Sequence, residues 1–206
     1  MAFDTFPAVV THIRMVTPTV LCLGFRRQDG QLLDFKPGHF VNVHFQDEDG
    51  ETHRSYSVAN PPGEDHFEIA VAPVEDGRAT RYLFGLKEGD QVDISGPYGR
   101  FVLREENHDR YVLVGTGTGI TPYRAMLPQL AQRMQNSQAR VEVLVGVRSR
   151  EEFLFAEDFL AAFAHGIRRD VLQQVGAGHQ QYICGLVIAL YLFCVVQDVQ
   201  VGPLQS

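Results

Sequence analysis

The segment "LVGTGTGITP", Leu113 to Pro122, lies between a continuous apolar run, "RYVLVG", and a stretch of helical periodicity, "TPYRAMLPQLAQRM". A strand that passes through a glycine-rich turn into a helix is the opening unit of a parallel α/β sheet. Gly115, Gly117 and Gly119 let backbone N–H groups approach an anion closely, and the N-terminus of the following helix adds a dipole of about half a charge. Thr116, Thr118 and Thr121 offer hydroxyls. No Gly-Lys-Ser/Thr follows, so the turn is not a Walker loop, and its spacing is not G-x-G-x-x-G. On these residues alone, tight packing and ligand binding both remain open. The position at the carboxyl end of a parallel strand favours a ligand.

Downstream, "RVEVLVGV" reads as a second strand and "EFLFAEDFLAAFA" as a second amphipathic helix, so the order strand, helix, strand, helix implies a parallel sheet with crossovers. From about Val171 the composition shifts: no Lys or Arg follows, glutamines accumulate, and "YICGLVIALYLFCVV" is almost unbroken apolar sequence. That run is shorter than the ~20 residues of a membrane span and reads as a buried strand plus helix instead of a tail anchor.

Upstream the character is different. Up to about Arg104 short alternating runs are punctuated by turn residues. "VLCLGF" puts Leu21, Leu23 and Phe25 on one face, and "HFVNVHF" does the same with Val41, Val43 and Phe45. "DEDG" is a hairpin signal, while "PPGED" and "KEGD" are further turns. Such runs predict a small antiparallel barrel or sandwich, interrupted by one short helix from Ala79 to Leu86. The change of character after "EENHD" divides the chain into residues 1–105, a β-barrel domain, and residues 106–206, an α/β domain that is atypical from about residue 165.

Bulk properties narrow the function. The chain has 206 residues, with 18 Lys and Arg against 25 Asp and Glu and a net charge of −7, which opposes a nucleic-acid surface. An anionic ligand must then be held by local groups. Cys22, Cys184 and Cys194 are too scattered for a disulfide framework, a zinc ribbon or an iron-sulfur loop. The histidines show no metal spacing. Reduced thiols and an N-terminus "MAFDTFPAVV" without a basic or long apolar region fit a cytoplasmic protein.

"HRSYSVANPP", His53 to Pro62, is a short strand that ends in polar groups. Arg54 suits bidentate pairing with a phosphate, Tyr56 suits stacking on a planar ring, and Ser57 suits a hydrogen bond to it; the other reading is a solvated edge strand. "EDGRATRYL" tips the balance toward a ligand, because Gly77 and Thr80 open a helix that offers a second phosphate contact.

Taken together and in order, "RSYSVAN", "GRATRYL", "GPYGRF" and "VGTGTGITP" resemble the ferredoxin-NADP reductase family of flavoproteins, over roughly Val9 to Phe163. The resemblance implies a Greek-key barrel that binds FAD, followed by a shortened parallel-sheet domain that binds NADH or NADPH. Arg54 would hold the FAD pyrophosphate, with Ser55 beside it in the same motif. Tyr56 would stack on the isoalloxazine and Ser57 would bond near its N5. Val71, Val74, Gly77, Ala79 and Thr80 would line the ribityl chain and phosphates. Gly117, Thr118 and Gly119 would cradle the nicotinamide dinucleotide, with Thr121 and Pro122 near the junction of the cofactors. Arg148 and Arg150 fall where relatives meet the adenosine ribose, leaving NADH and NADPH both open. "YICG" matches the motif in which a cysteine and a glycine face the nicotinamide, nominating Cys184 and Gly185. Tyr56, Ser57 and Cys184 would stand at the reacting rings. No metal is implied.

The implied activity is hydride transfer from NAD(P)H to FAD and onward to a separate acceptor, a ferredoxin, flavodoxin, other redox protein or small molecule. The tail departs from the family. Relatives place another strand and helix between the "FLFAEDF" helix and the "CG" strand, and "AHGIRRD" to "YICG" leaves little room for both. A missing strand would open a sheet edge and remove part of the nicotinamide pocket. The alternative is thus a non-catalytic flavin-binding subunit, or a truncated reductase with impaired NAD(P)H use.

Overall fold

The computed structural model describes residues 3–137, 139–162, 167–172 and 186–192, and for the last two spans it defines backbone pairing. The first sheet holds β1 (Thr5–Met15), β2 (Leu21–Arg27), β3 (Phe40–Asp47), β4 (Gly50–Ser57), β5 (Phe67–Val71) and β6 (Gln91–Tyr98). Their spatial order is β4-β3-β6-β1-β2-β5, and every pairing is antiparallel. The two end strands meet through a bridge between Val58 and Ile69, which curls the sheet into a barrel and covers its edges. "DEDG" makes the hairpin it predicts, with Asp47 opposite Gly50 and Val41 opposite Tyr56.

Alternation decides the barrel's interior. Val10, Leu23, Phe25, Val41, Val43, Ile69, Val92 and Ile94 are all buried in one cluster. Leu23, Phe25 and Ile69 are 0% exposed, and full burial of such side chains contributes about 1.5–3 kcal/mol each. The short helix α1 (Arg78–Phe84) begins one residue before its predicted start and ends before Gly85.

The second unit opens with β7 (Arg110–Thr116), passes through a 3-10 turn (Gly117–Ile120) and enters α2 (Thr121–Ser137). β8 (Arg140–Val147) lies parallel to β7, as the sequence predicts. The second predicted helix starts later than its periodicity suggests, because Phe155 adopts a φ of 56° and the regular turns begin at Ala156, in α3 (Ala156–Ala162). Phe153, Leu154 and Phe155 are thereby buried in the core shared with α2. The tail supplies β9 (Ile167–Leu172) and β10 (Leu186–Leu192), giving the order β7-β8-β10-β9. Thus "IRRDVL" forms a strand in the segment where the sequence leaves little room for both a strand and a helix. β10 pairs antiparallel with both β8 and β9, a geometry that needs no crossover helix.

The two units share packing. Val20, Cys22, Ala59 and Ala70 of the barrel belong to the same apolar cluster as Ile120, Met126, Leu127, Val143 and Phe155. Among the described residues, no helix is long and apolar enough to cross a membrane.

Candidate functional site

A cavity of about 570 Å³ opens between the two units, lined by Arg54, Ser55, Tyr56 and Ser57 of β4, by residues from Ala70 to Thr80, and by Thr118, Gly119 and Thr121. β4 brings four consecutive residues to it because the strand ends there, where Val58 bridges to β5. Arg54 is exposed, and its Nη1 donates to the His53 carbonyl at 2.8 Å. Ser55 Oγ donates to Asn42 Oδ1 at 2.7 Å and so anchors the strand. Tyr56 is half-buried, and burial pushes its phenol up against the opposing influence of Arg54.

The opposite lip is α1 with the turn that precedes it. Asp76 takes a φ of 54° and Gly77 an extended conformation. A Cβ on Gly77 would lie 2.9 Å from both Thr80 Oγ1 and the Val74 carbonyl, so only glycine fits the turn. The Val74 N–H donates to Thr80 Oγ1 at 2.9 Å and fixes that hydroxyl at the cavity wall. Arg78, which sequence reasoning passed over although it stands inside "GRATRYL", also lines the cavity. Its Nε donates to Asp47 Oδ2 at 2.6 Å, its Nη2 to Asp47 Oδ1, and its Nη2 to the Gly50 carbonyl at 2.9 Å.

The glycine-rich turn closes the third side. A Cβ at Gly115 would come within 2.9 Å of Ile120 Cγ2, whereas among the described residues nothing lies within 4 Å of one at Gly119. Gly115 is therefore required by packing, and Gly119 leaves open space at the cavity. Gly117 takes a φ of 49°, a conformation that favours glycine. Thr121 is 2% exposed, and its Oγ1 is buried without a hydrogen-bond partner among the described residues. An orphaned hydroxyl at the wall of a cavity, at the start of a 17-residue helix without acidic residues in its first turn, fits an anionic, hydrogen-bonding ligand.

The structure thus brings Arg54, Ser55, Tyr56, Ser57, Val74, Gly77, Ala79, Thr80, Thr118, Gly119 and Thr121 to one cavity. It does not place every sequence-nominated residue there. Val71 points into the barrel core at 1% exposure, and its neighbours Ala70 and Ala72 line the cavity in its place, as strand alternation requires. Gly117 and Pro122 flank the lining residues without joining them. Arg148 lies apart, its Nη2 donating to Glu152 Oε1 at 2.6 Å and its Nε to Oε2 at 3.0 Å. Cys184 and Gly185 lie outside the described residues.

Behind the cavity sits a charged cluster that the sequence does not announce. Glu68 on β5 accepts from His12 at 2.9 Å, from Arg14 at 3.2 Å and from Arg124 of α2. Burial pushes its carboxyl up, but Arg124, His12 and Arg14 outweigh that and hold it down at about 2. Burial and the adjacent Glu68 push the Cys22 thiol up to about 12, so it is a protonated, inert side chain. His12, Cys22 and Glu68 present atoms within 4.8 Å of one another. With two guanidinium groups on its carboxylate, Glu68 works as the centre of an ion-pair network.

Comparison with known proteins identifies the two domains. Residues 7–103 match the oxidoreductase FAD-binding domain and residues 113–175 the oxidoreductase NAD-binding domain. The chain is 33% identical over 196 residues to ferredoxin--NADP reductase B of Sorangium cellulosum, covering 91% of this chain and 79% of that one. It is 31% identical over 158 residues to the reductase component of phenol 2-monooxygenase from Pseudomonas sp., covering 76% of this chain and 43% of that protein. Among solved structures, the FAD/NAD-binding domain of nitric oxide dioxygenase from Vibrio cholerae superposes with a TM-score of 0.69 at 27% identity, over 77% of this chain and 69% of the other.

Proposed function

This chain belongs to the ferredoxin-NADP reductase-like family of FAD- and NAD-binding oxidoreductases, and from that membership we propose that it moves reducing equivalents from NADH or NADPH through FAD to a separate redox partner. The observation that carries the reading is the single cavity at which β4, the start of α1 and the glycine-rich turn converge. FAD, when bound, supplies the hydride-accepting and electron-relaying chemistry.

The chain's own residues bind and orient. Arg54 and Arg78 offer two guanidinium groups for the flavin pyrophosphate, and Arg78 is held in place by Asp47. Tyr56 presents a ring for stacking, and Ser57 a hydroxyl at the end of its strand. Thr118, Gly119 and Thr121 receive the pyridine dinucleotide at the start of α2, where the orphaned Thr121 hydroxyl gains a partner. The shared core of the two units excludes water from behind the cavity. Residues 1–105 serve as the flavin unit and residues 106–206 as the nucleotide unit, with Cys184 and Gly185 at the nicotinamide.

The acceptor in this reading is a ferredoxin, a flavodoxin or an oxygenase component, since the relatives include a ferredoxin reductase and an oxygenase reductase component. The buried, free Cys22 thiol suits a cytoplasmic setting. The test is flavin content together with NADH- and NADPH-dependent reduction of an artificial one-electron acceptor. Wild-type protein is expected to retain FAD and turn over, and Arg54→Ala to lose flavin. A flavin-free protein without turnover would reject the reading, and bound flavin without turnover would favour a flavin-binding subunit.

A further inference from the structure

The ion-pair network between the units has a layout that follows from three adjacent strands. His12, Gly24 and Glu68 stand in one row across β1, β2 and β5. A register shift between Val10 and His12 re-aims the histidine. Gly24 leaves it room, since a Cβ there would meet His12 Cε1 at 2.1 Å, and the ring reaches over the glycine to Glu68. Arg14 on β1 stands two rows further along, on the same face, and reaches the same carboxylate. Across the junction, Arg124 donates to Glu68 and, through Nε, to Asp158 Oδ2 at 2.5 Å. Its guanidinium lies 4.3 Å from the centre of the Phe155 ring, and Phe155 itself holds the left-handed backbone conformation. A bulky residue in that conformation is strained and persists where its surroundings demand it.

Each partner stands one step behind a wall of the cavity. Glu68 is two residues from Ala70 on the same face of β5, and Ala70 lines the cavity. Arg124 is one helical turn from Thr121, which lines the opposite side. Glu68 is buried and Arg124 is nearly so, with side-chain exposures of 6% and 13%. Buried ion pairs of this kind often contribute less to stability than apolar residues of equal volume would, so their worth lies in fixing geometry.

We propose that the Glu68–Arg124 pair, braced by His12, Arg14, Asp158 and Phe155, is a positioning clamp that sets the distance between the flavin wall and the nucleotide wall of the shared cavity. Glu68 and Arg124 are positioning residues and touch neither cofactor. The proposal rests on the oxidoreductase reading for its kinetic consequence, and on geometry alone for its structural one.

The test uses the full chain reconstituted with FAD, as wild type, Glu68→Gln, Arg124→Gln, the double variant and Arg124→Lys. Two quantities are read: amide hydrogen exchange over residues 117–124, and the limiting rate of flavin reduction at saturating NADH or NADPH under anaerobic conditions. The clamp predicts faster exchange over 117–124 in both Gln variants, with FAD content and nucleotide KM near wild type. Because misplacement of about 1 Å costs up to ~100-fold, the limiting rate should fall about 10- to 100-fold. Arg124→Lys should recover part of the rate, and the double variant should be no worse than the poorer single one. Unchanged exchange together with an unchanged rate would overturn the clamp, as would a rate that falls only in proportion to lost FAD. If neither nucleotide reduces the wild-type flavin, the oxidoreductase reading fails, and exchange alone then upholds or overturns the clamp.

Discussion

Arg78, the first residue of α1, is joined to Asp47 at the tip of the β3–β4 hairpin by donation from Nε at 2.6 Å and from Nη2. The pair ties two cavity-forming elements that are 31 residues apart. The hydrogen bond from Arg78 holds the Asp47 carboxyl below the usual carboxylate range. Asp49 lies further from the guanidinium, at 3.6 Å, and is 72% exposed.

Removing Asp47 should therefore loosen the flavin site, and removing Asp49 should not. Asp47→Ala is expected to raise the FAD dissociation constant about five- to ten-fold, the worth of a charge-assisted hydrogen bond near the surface. Asp49→Ala should stay within about twofold. Flavin fluorescence titration measures both. Equal effects would mean that hairpin charge matters and the Arg78 pair does not.

The glycines of the turn separate packing from binding. Gly115→Val would drive a side chain into Ile120, so thermal stability should drop along with nucleotide use. Gly119→Val meets open space among the described residues and should leave the melting temperature near wild type while raising the NAD(P)H KM at least about tenfold. Melting curves and steady-state kinetics on the two variants decide the matter. A Gly119→Val protein with normal KM would show that the dinucleotide passes elsewhere.

Arg148 is committed to Glu152 by three contacts within 3.2 Å. A nucleotide 2′-phosphate would compete with that carboxylate for the guanidinium. Glu152→Gln is expected to improve kcat/KM for NADPH relative to NADH about two- to five-fold, the range of an exposed ion pair. An unchanged ratio would place the ribose away from Arg148.

Glu68 gives a pH signature. Its carboxyl ordinarily titrates at 4.5 and is held at about 2 in the fold, so its ionised form stabilises the protein above 4.5, and that contribution is lost as pH falls through about 2. The melting temperature of wild type should exceed that of Glu68→Gln at neutral pH, and the difference should narrow between pH 4.5 and 2. A difference that is flat across this window would contradict the ion-pair assignment.

These outcomes also mark what the sequence makes legible. The hairpin at "DEDG" and the alternation of Val41, Val43 and Phe45 are local patterns, and they appear in the structure as read. The strand-to-helix turn at Leu113–Pro122 is likewise local, and the motif at Arg54–Ser57 lines the cavity intact. Val71 misleads because a strand alternates, and resemblance to a motif does not say which neighbour faces the ligand. The late start of the second helix depends on Phe155, whose left-handed backbone no local pattern announces. The clamp is least legible of all. His12, Arg14, Glu68, Arg124 and Asp158 are scattered over two strands and two helices, and each alone reads as an ordinary surface charge. Likewise, an apolar run such as "LVIALYL" carries no sign of strand direction, which pairing in the sheet decides.

In the proposed reaction one cavity brings a flavin and a pyridine nucleotide together. Its most direct test is the anaerobic visible spectrum of the FAD-reconstituted chain, recorded before and after addition of NADH and then of NADPH. Bleaching of the flavin bands by at least one nucleotide is expected, at a rate that saturates with its concentration. Flavin that stays bound and oxidised in the presence of both would contradict it.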